Sequence, residues 1–285
     1  MKRVLVLGST GMLGSMVHRV FADGGRLAVT GTDRASFDAE AFVRGERQRA
    51  DLAADYVINC IGVIKPYCKD DDAAGVARAI AVNAQFPHRL GAAARQTGAR
   101  VIQIATDCVY SGAKGRYVES DPHDALDVYG KSKSLGEVFD RSVLNVRCSI
   151  IGPELKSKVS LLEWFLANPE GASLNGFTHH HWNGVTTLQF AQLCEAIIAA
   201  DAWDRLVGTS PLHHFVPNST VTKHELLQLM ADVYRRKVTV RAVDSVGPPV
   251  DRTLASNFSM LTEWHRPMSM RDALTELHGS HASRV

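Results

Sequence analysis

The stretch "VLVLGSTGMLGSM", Val4 to Met16, decides how this chain is read. Its first residues are an apolar run that fits a strand buried on both faces. Three glycines follow at GxxGxxG spacing, Gly8, Gly11 and Gly14, and a helical pattern continues through "MLGSMVHRVFADGG". In such a turn the first glycine permits the tight bend, the second lets a diphosphate approach the backbone, and the third lets the helix pack closely. Unpaired amides at a helix start favour phosphate oxygens. The stretch therefore predicts dinucleotide binding, with Thr10, Met12 and Leu13 completing the loop.

Outward from that turn, "RLAVTGTD" reads as a second strand ending at Asp33, 19 residues after Gly14. A carboxylate there can accept hydrogen bonds from the adenosine ribose, which favours NAD. Arg34 follows directly and can pair with a 2′-phosphate, which favours NADP; its other reading is a solvent-facing charge. Both NADH and NADPH are thus expected to bind. "DYVINCIG", "ARVIQIATDCVY" and "LNVRCSIIG" read as further buried strands. They alternate with helical patterns, including the long Ala-rich run "AAGVARAIAVNAQFPHRLGAAARQTG", where Pro87 marks a kink or a new start. This alternation argues an α/β fold, a Rossmann-type parallel sheet with helices on both faces. After about Gly152 the rhythm changes. The expected division is a dinucleotide-binding domain over 1–152 and a smaller, mainly substrate-binding lobe over 153–285, with some elements returning to the sheet.

The bulk numbers narrow the function classes. The 285 residues carry 32 Lys plus Arg against 30 Asp plus Glu. That balance gives no large basic footprint for nucleic acid. The five cysteines are scattered without a CxxC, which suits a reducing compartment. The opening segment has a basic start and apolar residues, but its glycines interrupt the apolar run. No run reaches the roughly eighteen apolar residues of a membrane span. The expectation is a cytoplasmic protein with no membrane partner. "THHHWNG" places His179, His180 and His181 in a row, which do not share one side of a helix or strand, and no metal site is expected.

"YGKSK", Tyr129 to Lys133, puts a phenol and an ammonium on one helical face. "ATDCVY" puts Thr106 just past a strand end, some twenty residues earlier. Glycine turn, Thr106, Tyr129 and Lys133 in this order resemble the extended short-chain dehydrogenase/reductase family, closest to its dTDP-4-dehydrorhamnose reductase branch. The resemblance rests on "GSTGMLGSMV", "DYVINCIG", "AVNAQFPHRLGAAARQTGARVIQIATDCVYSG", "DVYGKSKSLGE" and "VRCSIIG", and covers most of residues 1 to 152. "DRTLASNFSML" is similar to that branch's late substrate-lobe motif, with Thr253 where a proline is usual. "NCIGVIK" departs from the branch's alanine-rich loop, and Met12 stands where a polar residue is frequent.

The resemblance implies NAD(P)H-dependent reduction of the C4 keto group of a nucleotide-activated 4-keto-6-deoxy sugar. It casts Tyr129 as proton donor, Lys133 as the ammonium that stabilises the phenolate and holds the nicotinamide ribose, and Thr106 as the group that positions the substrate oxygen. Cys60, Ile61 and Gly62 would border the cofactor, and Asn83 would support the site through a water relay or by packing. Lys65, Asp107, Val109, Trp182, Asn183 and Arg252 are the expected substrate-side residues. Asp107 has a second reading as a carboxylate that fixes the turn. Lys156 and Lys158 join Arg252 as candidates for a substrate diphosphate, while Lys131, two residues from Tyr129, should face solvent. A homodimer is one assembly open to such a chain. Two rival readings are an epimerase or dehydratase with bound NAD, and a non-catalytic subunit that retained the fold.

Overall fold

The computed structural model describes residues 1–46, 52–156, 158–244 and 247–282. The first half runs β1 (Arg3–Leu7), α1 (Met12–Gly24), β2 (Ala28–Thr32), α2 (Ala39–Val43) and β3 (Tyr56–Asn59). Next come α3 (Ala73–Ala79), a π-helical stretch (Ile80–Gln85), α4 (Phe86–Thr97), β4 (Arg100–Thr106), α5 (Val128–Leu135) and β5 (Val143–Cys148). The Ala-rich run is therefore one rod with a π bulge in the middle. Pro87 sits in the first turn of α4, where its missing N–H costs little.

Beyond residue 149 lie β6 (Ile150–Ile151), α6 (Leu161–Ala167), β7 (Ser173–Phe177), β8 (His180–Trp182), β9 (Val185–Thr186) and α7 (Thr187–Ala199). They are followed by α8 (Trp203–Thr209), β10 (Leu212–His214), β11 (Val221–Thr222), α9 (Lys223–Val233), β12 (Thr239–Val243), β13 (Val250–Asp251) and α10 (Met270–Ala282).

Six strands form one sheet in the order β10-β5-β4-β3-β1-β2, and every pairing is parallel. Strand order reverses at β1, with β2 on one side and β3 on the other, so the crevice beyond β1 and β3 is the position where such sheets bind ligands. Alternation along β1 builds both halves of the core. Val4 and Val6 pack with Met16, Val17, Leu193 and Ile197 on one face, and Leu5 and Leu7 with Phe86 and Leu90 on the other. Each such side chain, once removed from water, contributes about 1.5–3 kcal/mol. β10 and α7 come from the second half of the chain, so that half both supplies a lobe and completes the sheet and its cover. The lobe's own sheet, β11-β8-β13, stands over the carboxyl ends of the large sheet's strands through the Tyr117–Leu254 bridge and the Arg252 contact to Tyr110.

A fully buried ion pair ties these parts together. Arg147 on β5 donates to both Glu137 oxygens, at 3.0 and 2.6 Å. It also donates to the Tyr110 hydroxyl at 2.5 Å, and its guanidinium lies 2.8 Å from His214 Nε2 and 2.7 Å from His123 Nε2. His213 and His214 both lie inside on β10. A buried cation with this many partners holds one arrangement, because losing a partner strands an uncompensated charge.

Candidate active site

The glycine turn takes the shape its spacing predicts. Gly8 has φ +78°, the left-handed region that favours glycine. A Cβ at Gly14 would fall 2.2 Å from the Gly8 carbonyl oxygen, so α1 can begin here only with glycine. Gly11 caps α1 without a side-chain hydrogen bond, which leaves first-turn amides available to an anion. Met12 is half-buried, while Leu13 and Gly14 are buried at the start of α1.

A cleft of about 270 Å³ opens from this turn. Gly8, Thr10, Gly11, Asp33 and Arg34 line it from one side, and Cys60, Ile61 and Gly62 from the other. The site fits a dinucleotide on two observations, the cradle that a Cβ would fill and the uncapped amides. At its far end the carboxylate of Asp33 accepts from the amide and hydroxyl of Ser36, and these bonds hold its pKa below the usual aspartate value. Arg34 is not a free cation. Its guanidinium meets Asp38 at 3.2 Å and Glu40 at 2.9 Å. A larger groove of about 570 Å³ lies between α9, β12 and α10, lined by Glu225, Asp232 and Arg271.

Thr106 closes β4, and its Oγ1 accepts from the Cys108 amide at 3.2 Å, capping the short 3₁₀ turn Asp107–Val109. The same hydroxyl bonds Asp107 Oδ1 at 3.2 Å, which anchors that carboxylate in the turn. Asp127 caps α5 by accepting from the Gly130 amide at 2.7 Å. This start turns the Tyr129 phenol toward the Thr106 hydroxyl, near enough for Thr106 to act on its ionisation. Burial pushes the Tyr129 pKa well above its ordinary value, with Cys108 and Asp107 adding to the rise and Thr106 opposing it.

Lys133 lies one turn on, and Lys131 is exposed, as the helical register requires. The ammonium of Lys133 donates to the Ile104 carbonyl on β4 at 3.2 Å. Burial lowers its pKa, and Glu137 opposes that shift. The influences that dominate the phenol are burial and its neighbours Cys108, Thr106, Asp107 and Cys68.

Asn83 sits in the π stretch and clamps the loop beyond β3. It donates to the Val63 carbonyl at 2.9 Å and accepts from the Val63 amide at 2.8 Å. Its amide also donates to Ser132 on α5 at 3.1 Å, so it ties the cofactor-side loop to the helix carrying Tyr129. Lys65 reaches Asp127 at 2.7 Å and lies 5.8 Å from the centre of the Tyr129 ring. Arg252 donates to the Tyr110 carbonyl at 2.9 Å, and its charge is felt by Asp127 and Cys108.

Other residues proposed from sequence lie elsewhere. Trp182 is buried in the core under Lys223, whose ammonium stands 5.3 Å from the ring, so the indole does not offer a face to a base. Asn183 spends both ends of its amide on Leu254, at 2.8 and 3.0 Å, and so holds the lobe's segments together. Val109 packs in a small core with Tyr110, Tyr117 and Leu254. Lys156 and Lys158 are exposed. Thr253, in place of the usual proline, accepts from the Arg116 amide at 3.0 Å and donates to Asp251 at 2.6 Å. Among the described residues, no group of three or more His, Cys, Asp or Glu is arranged to hold a metal ion. None of the described helices is long and apolar enough to cross a membrane.

Sequence reasoning missed Lys223, Glu137 and Arg147. The box "TKHE" was a legible helix start, and Thr222 and Glu225 do cap α9 reciprocally. Nothing in that box says where the lysine beside the cap points.

Comparison with known proteins agrees with this architecture. Residues 1–267 match the family described as RmlD substrate binding domain. A dTDP-4-dehydrorhamnose reductase of Streptomyces griseus is 34% identical over 145 residues, 50% of this chain and 45% of that protein. The chain thus spans about half the length of the first curated relatives it matches. Methionine adenosyltransferase 2 subunit beta of Danio rerio is 28% identical over 255 residues, 82% of this chain and 74% of that protein. A solved dTDP-4-dehydrorhamnose reductase from Bacillus anthracis, in complex with NADP, superposes with a TM-score of 0.80 over 98% of this chain and 99% of that one, at 16% identity. At that identity the likeness speaks to the fold. A sheet that reverses order at a glycine turn, and a family match running through both halves, give one conclusion: the chain belongs to the RmlD substrate binding domain family.

Proposed function

We propose that this chain is an NAD(P)H-dependent reductase of the C4 keto group of a nucleotide-activated 4-keto-6-deoxy sugar. The observation that carries the reading is the placing of Tyr129, on α5, beside Thr106 at the end of β4, with Lys133 one turn along the same helix. The bound dinucleotide would supply hydride to the carbonyl carbon. The protein's part is to hold the carbonyl oxygen and give it a proton. Thr106 and Tyr129 can both donate to that oxygen, and a phenol whose pKa is raised by burial keeps its proton at neutral pH. Placing a protonated donor in a desolvated site lowers the barrier through position and electrostatics. Lys133 would hold the nicotinamide ribose from its station at Ile104. Either NADH or NADPH is accepted in this reading. Five unpaired cysteines suit the cytoplasm, and the reading needs neither nucleic acid nor membrane.

The test is a panel of 4-keto nucleotide sugars incubated with NADH or NADPH, with products identified by mass and NMR. Formation of the 4-hydroxy sugar supports the reading. Copurification of oxidised cofactor with no net reduction would favour the epimerase or dehydratase class instead. One observation favours a second reading, a non-catalytic subunit: the similarity to methionine adenosyltransferase 2 subunit beta runs over 82% of this chain. That reading expects no turnover on any keto sugar and a stable complex with an unrelated enzyme. The presence of Thr106, Tyr129 and Lys133 together argues for the reductase.

A further inference from the structure

Three consecutive residues of α5 are held by three different parts of the fold. Ser132 accepts from the Asn83 side-chain amide of the π stretch at 3.1 Å. Lys133 donates to the Ile104 carbonyl of β4 at 3.2 Å. The Ser134 hydroxyl lies 2.6 Å from His123 Nδ1. Neighbours on a helix project about 100° apart, so these contacts restrain the last turn of α5 from separate sides, with Lys133 between the other two.

His123 belongs to the loop between the 3₁₀ turn and α5. Its Nε2 lies 2.7 Å from a terminal nitrogen of Arg147. The state of the ring follows from the donors opposite it. A guanidinium has five N–H groups and no acceptor. In Arg147 all five are committed: two to the Glu137 oxygens, one to the Tyr110 hydroxyl, one to His214 Nε2 and one to His123 Nε2. Nε2 of His123 can therefore only accept. The ring's proton is left on Nδ1, which makes His123 the donor to Ser134. A charged ring would turn a second N–H against the guanidinium. Burial lowers the His123 pKa and Arg147 adds to the fall, while Glu137, 3.7 Å away, and Asp124 oppose it. The Tyr110 ring meets the imidazole edge-on, with centroids 5.5 Å apart, and fixes its plane.

Arg147 on β5 thus grips this end of the helix twice. Its bonds to Glu137, beyond the cap at Gly136, fix where the chain leaves α5. The second link, through His123 to Ser134, acts inside the last turn and resists rotation of the helix about its axis. Such a rotation would carry Lys133 away from Ile104.

We infer that His123, as the neutral ring protonated at Nδ1, is a positioning residue for Lys133, relaying the fixed guanidinium of Arg147 to Ser134. Its effect on turnover rests on the reductase reading above, whereas the ring's tautomer does not.

The experiment uses the full chain as wild type, His123→Gln, His123→Ala and Ser134→Ala. A glutamine amide offers an acceptor and a donor and can serve both partners, and alanine serves neither. Nitrogen-15 NMR of histidine-labelled wild type at neutral pH should find His123 protonated at Nδ1, its signals assigned by their loss in His123→Gln. Calorimetry should find NADH bound ~10-fold more weakly by His123→Ala and Ser134→Ala, as for a displaced contact from a charged group. On one accepted keto sugar, kcat should fall by ~10–100-fold in both, with KM for the sugar near the wild-type value. His123→Gln should restore most of each loss. A charged ring, or a proton on Nε2, would overturn the relay. Wild-type NADH affinity in both alanine variants would overturn the positioning of Lys133. Losses that glutamine does not relieve would make His123 a packing residue and end the proposal. A wild type that reduces no keto sugar would sink the reductase reading, and the tautomer and NADH affinities would still decide the role of His123.

Discussion

Gly136 stands against the backbone of Asn83: a Cβ at Gly136 would fall 1.8 Å from the Asn83 carbonyl oxygen. The end of α5 is thereby seated directly on the π stretch, and Asn83 also bonds Ser132 on the same helix. This seating sets the depth at which α5 presents Tyr129 to Thr106. A backbone atom cannot rotate aside as a side chain would. Gly136→Ala should therefore destabilise the fold by about 1–3 kcal/mol. It should also lower kcat in the protein that remains folded, because the helix must lift. Urea unfolding together with kinetics on one accepted keto sugar checks this. A variant with wild-type stability would show that α5 is not clamped at this point.

Tyr129→Phe removes the proton donor and keeps most of the ring's packing. The variant should fold and bind NADH, and kcat should fall by roughly 10²–10⁴-fold. Lys131→Met serves as the control, since Lys131 is exposed and should change little. Steady-state kinetics with separate measurement of nucleotide affinity reads both. Turnover near the wild-type rate in Tyr129→Phe would remove the phenol from the mechanism.

Cofactor choice should turn on the acids that hold Arg34. Two exposed ion pairs, to Asp38 and Glu40, are worth about 0–1 kcal/mol each. They restrain Arg34 without locking it. Arg78 also approaches Glu40, at 3.8 Å. Glu40→Gln removes a negative charge beside the ribose site and loosens both guanidinium groups. It should tighten NADPH several-fold relative to NADH, and Arg34→Ala should weaken NADPH alone. Parallel changes for the two dinucleotides would show that neither residue senses the 2′-phosphate.

Acid should unfold the protein through its buried histidines. Burial and the neighbouring Arg147 hold the His214 pKa at about 4. An unfolded histidine takes its proton near 6.5. Between these values the unfolded chain binds more protons, so stability is complete above about 6.5 and declines as pH falls toward 4. The difference amounts to about 3 kcal/mol for His214 alone. His123 and His213, also held low by burial, act in the same direction. Urea midpoints measured from pH 7.5 to 4.5 should fall steadily, and a flat profile would contradict the buried network.

The legible part of the site was its short-range part. Gly8, Gly11 and Gly14 sit within one turn, so their spacing alone dictates a sharp bend, an uncapped helix start and a close strand–helix contact. The register of α5 followed from its sequence as well, with Lys133 turned inward and Lys131 outward. The illegible part depends on where segments far apart in sequence meet. Trp182 looked like a stacking platform for a base, yet the pairing of β8 with β11 places Lys223 over its ring. Lys156 and Lys158 were candidate phosphate ligands from their charge alone, and what the structure adds is that both are exposed. Arg34 looked free because its two acids lie four and six residues on, beyond the strand that ends before it.

By itself the sequence determined the parallel sheet, the dinucleotide turn and the Thr106–Tyr129–Lys133 order, because local periodicity and glycine sterics act over a few residues and need no knowledge of the rest. Only the tertiary structure decided the surroundings of the site's ionisable groups. Whether a phenol is raised or lowered, or an ammonium paired or bare, depends on burial and on neighbours within a few ångströms. For Tyr129 those neighbours come from β4, the turn after it and the segment after β3, and for Lys223 from β4's turn, β8 and β13. Segment meetings of that kind are fixed by packing of the whole chain, and no window of sequence contains them.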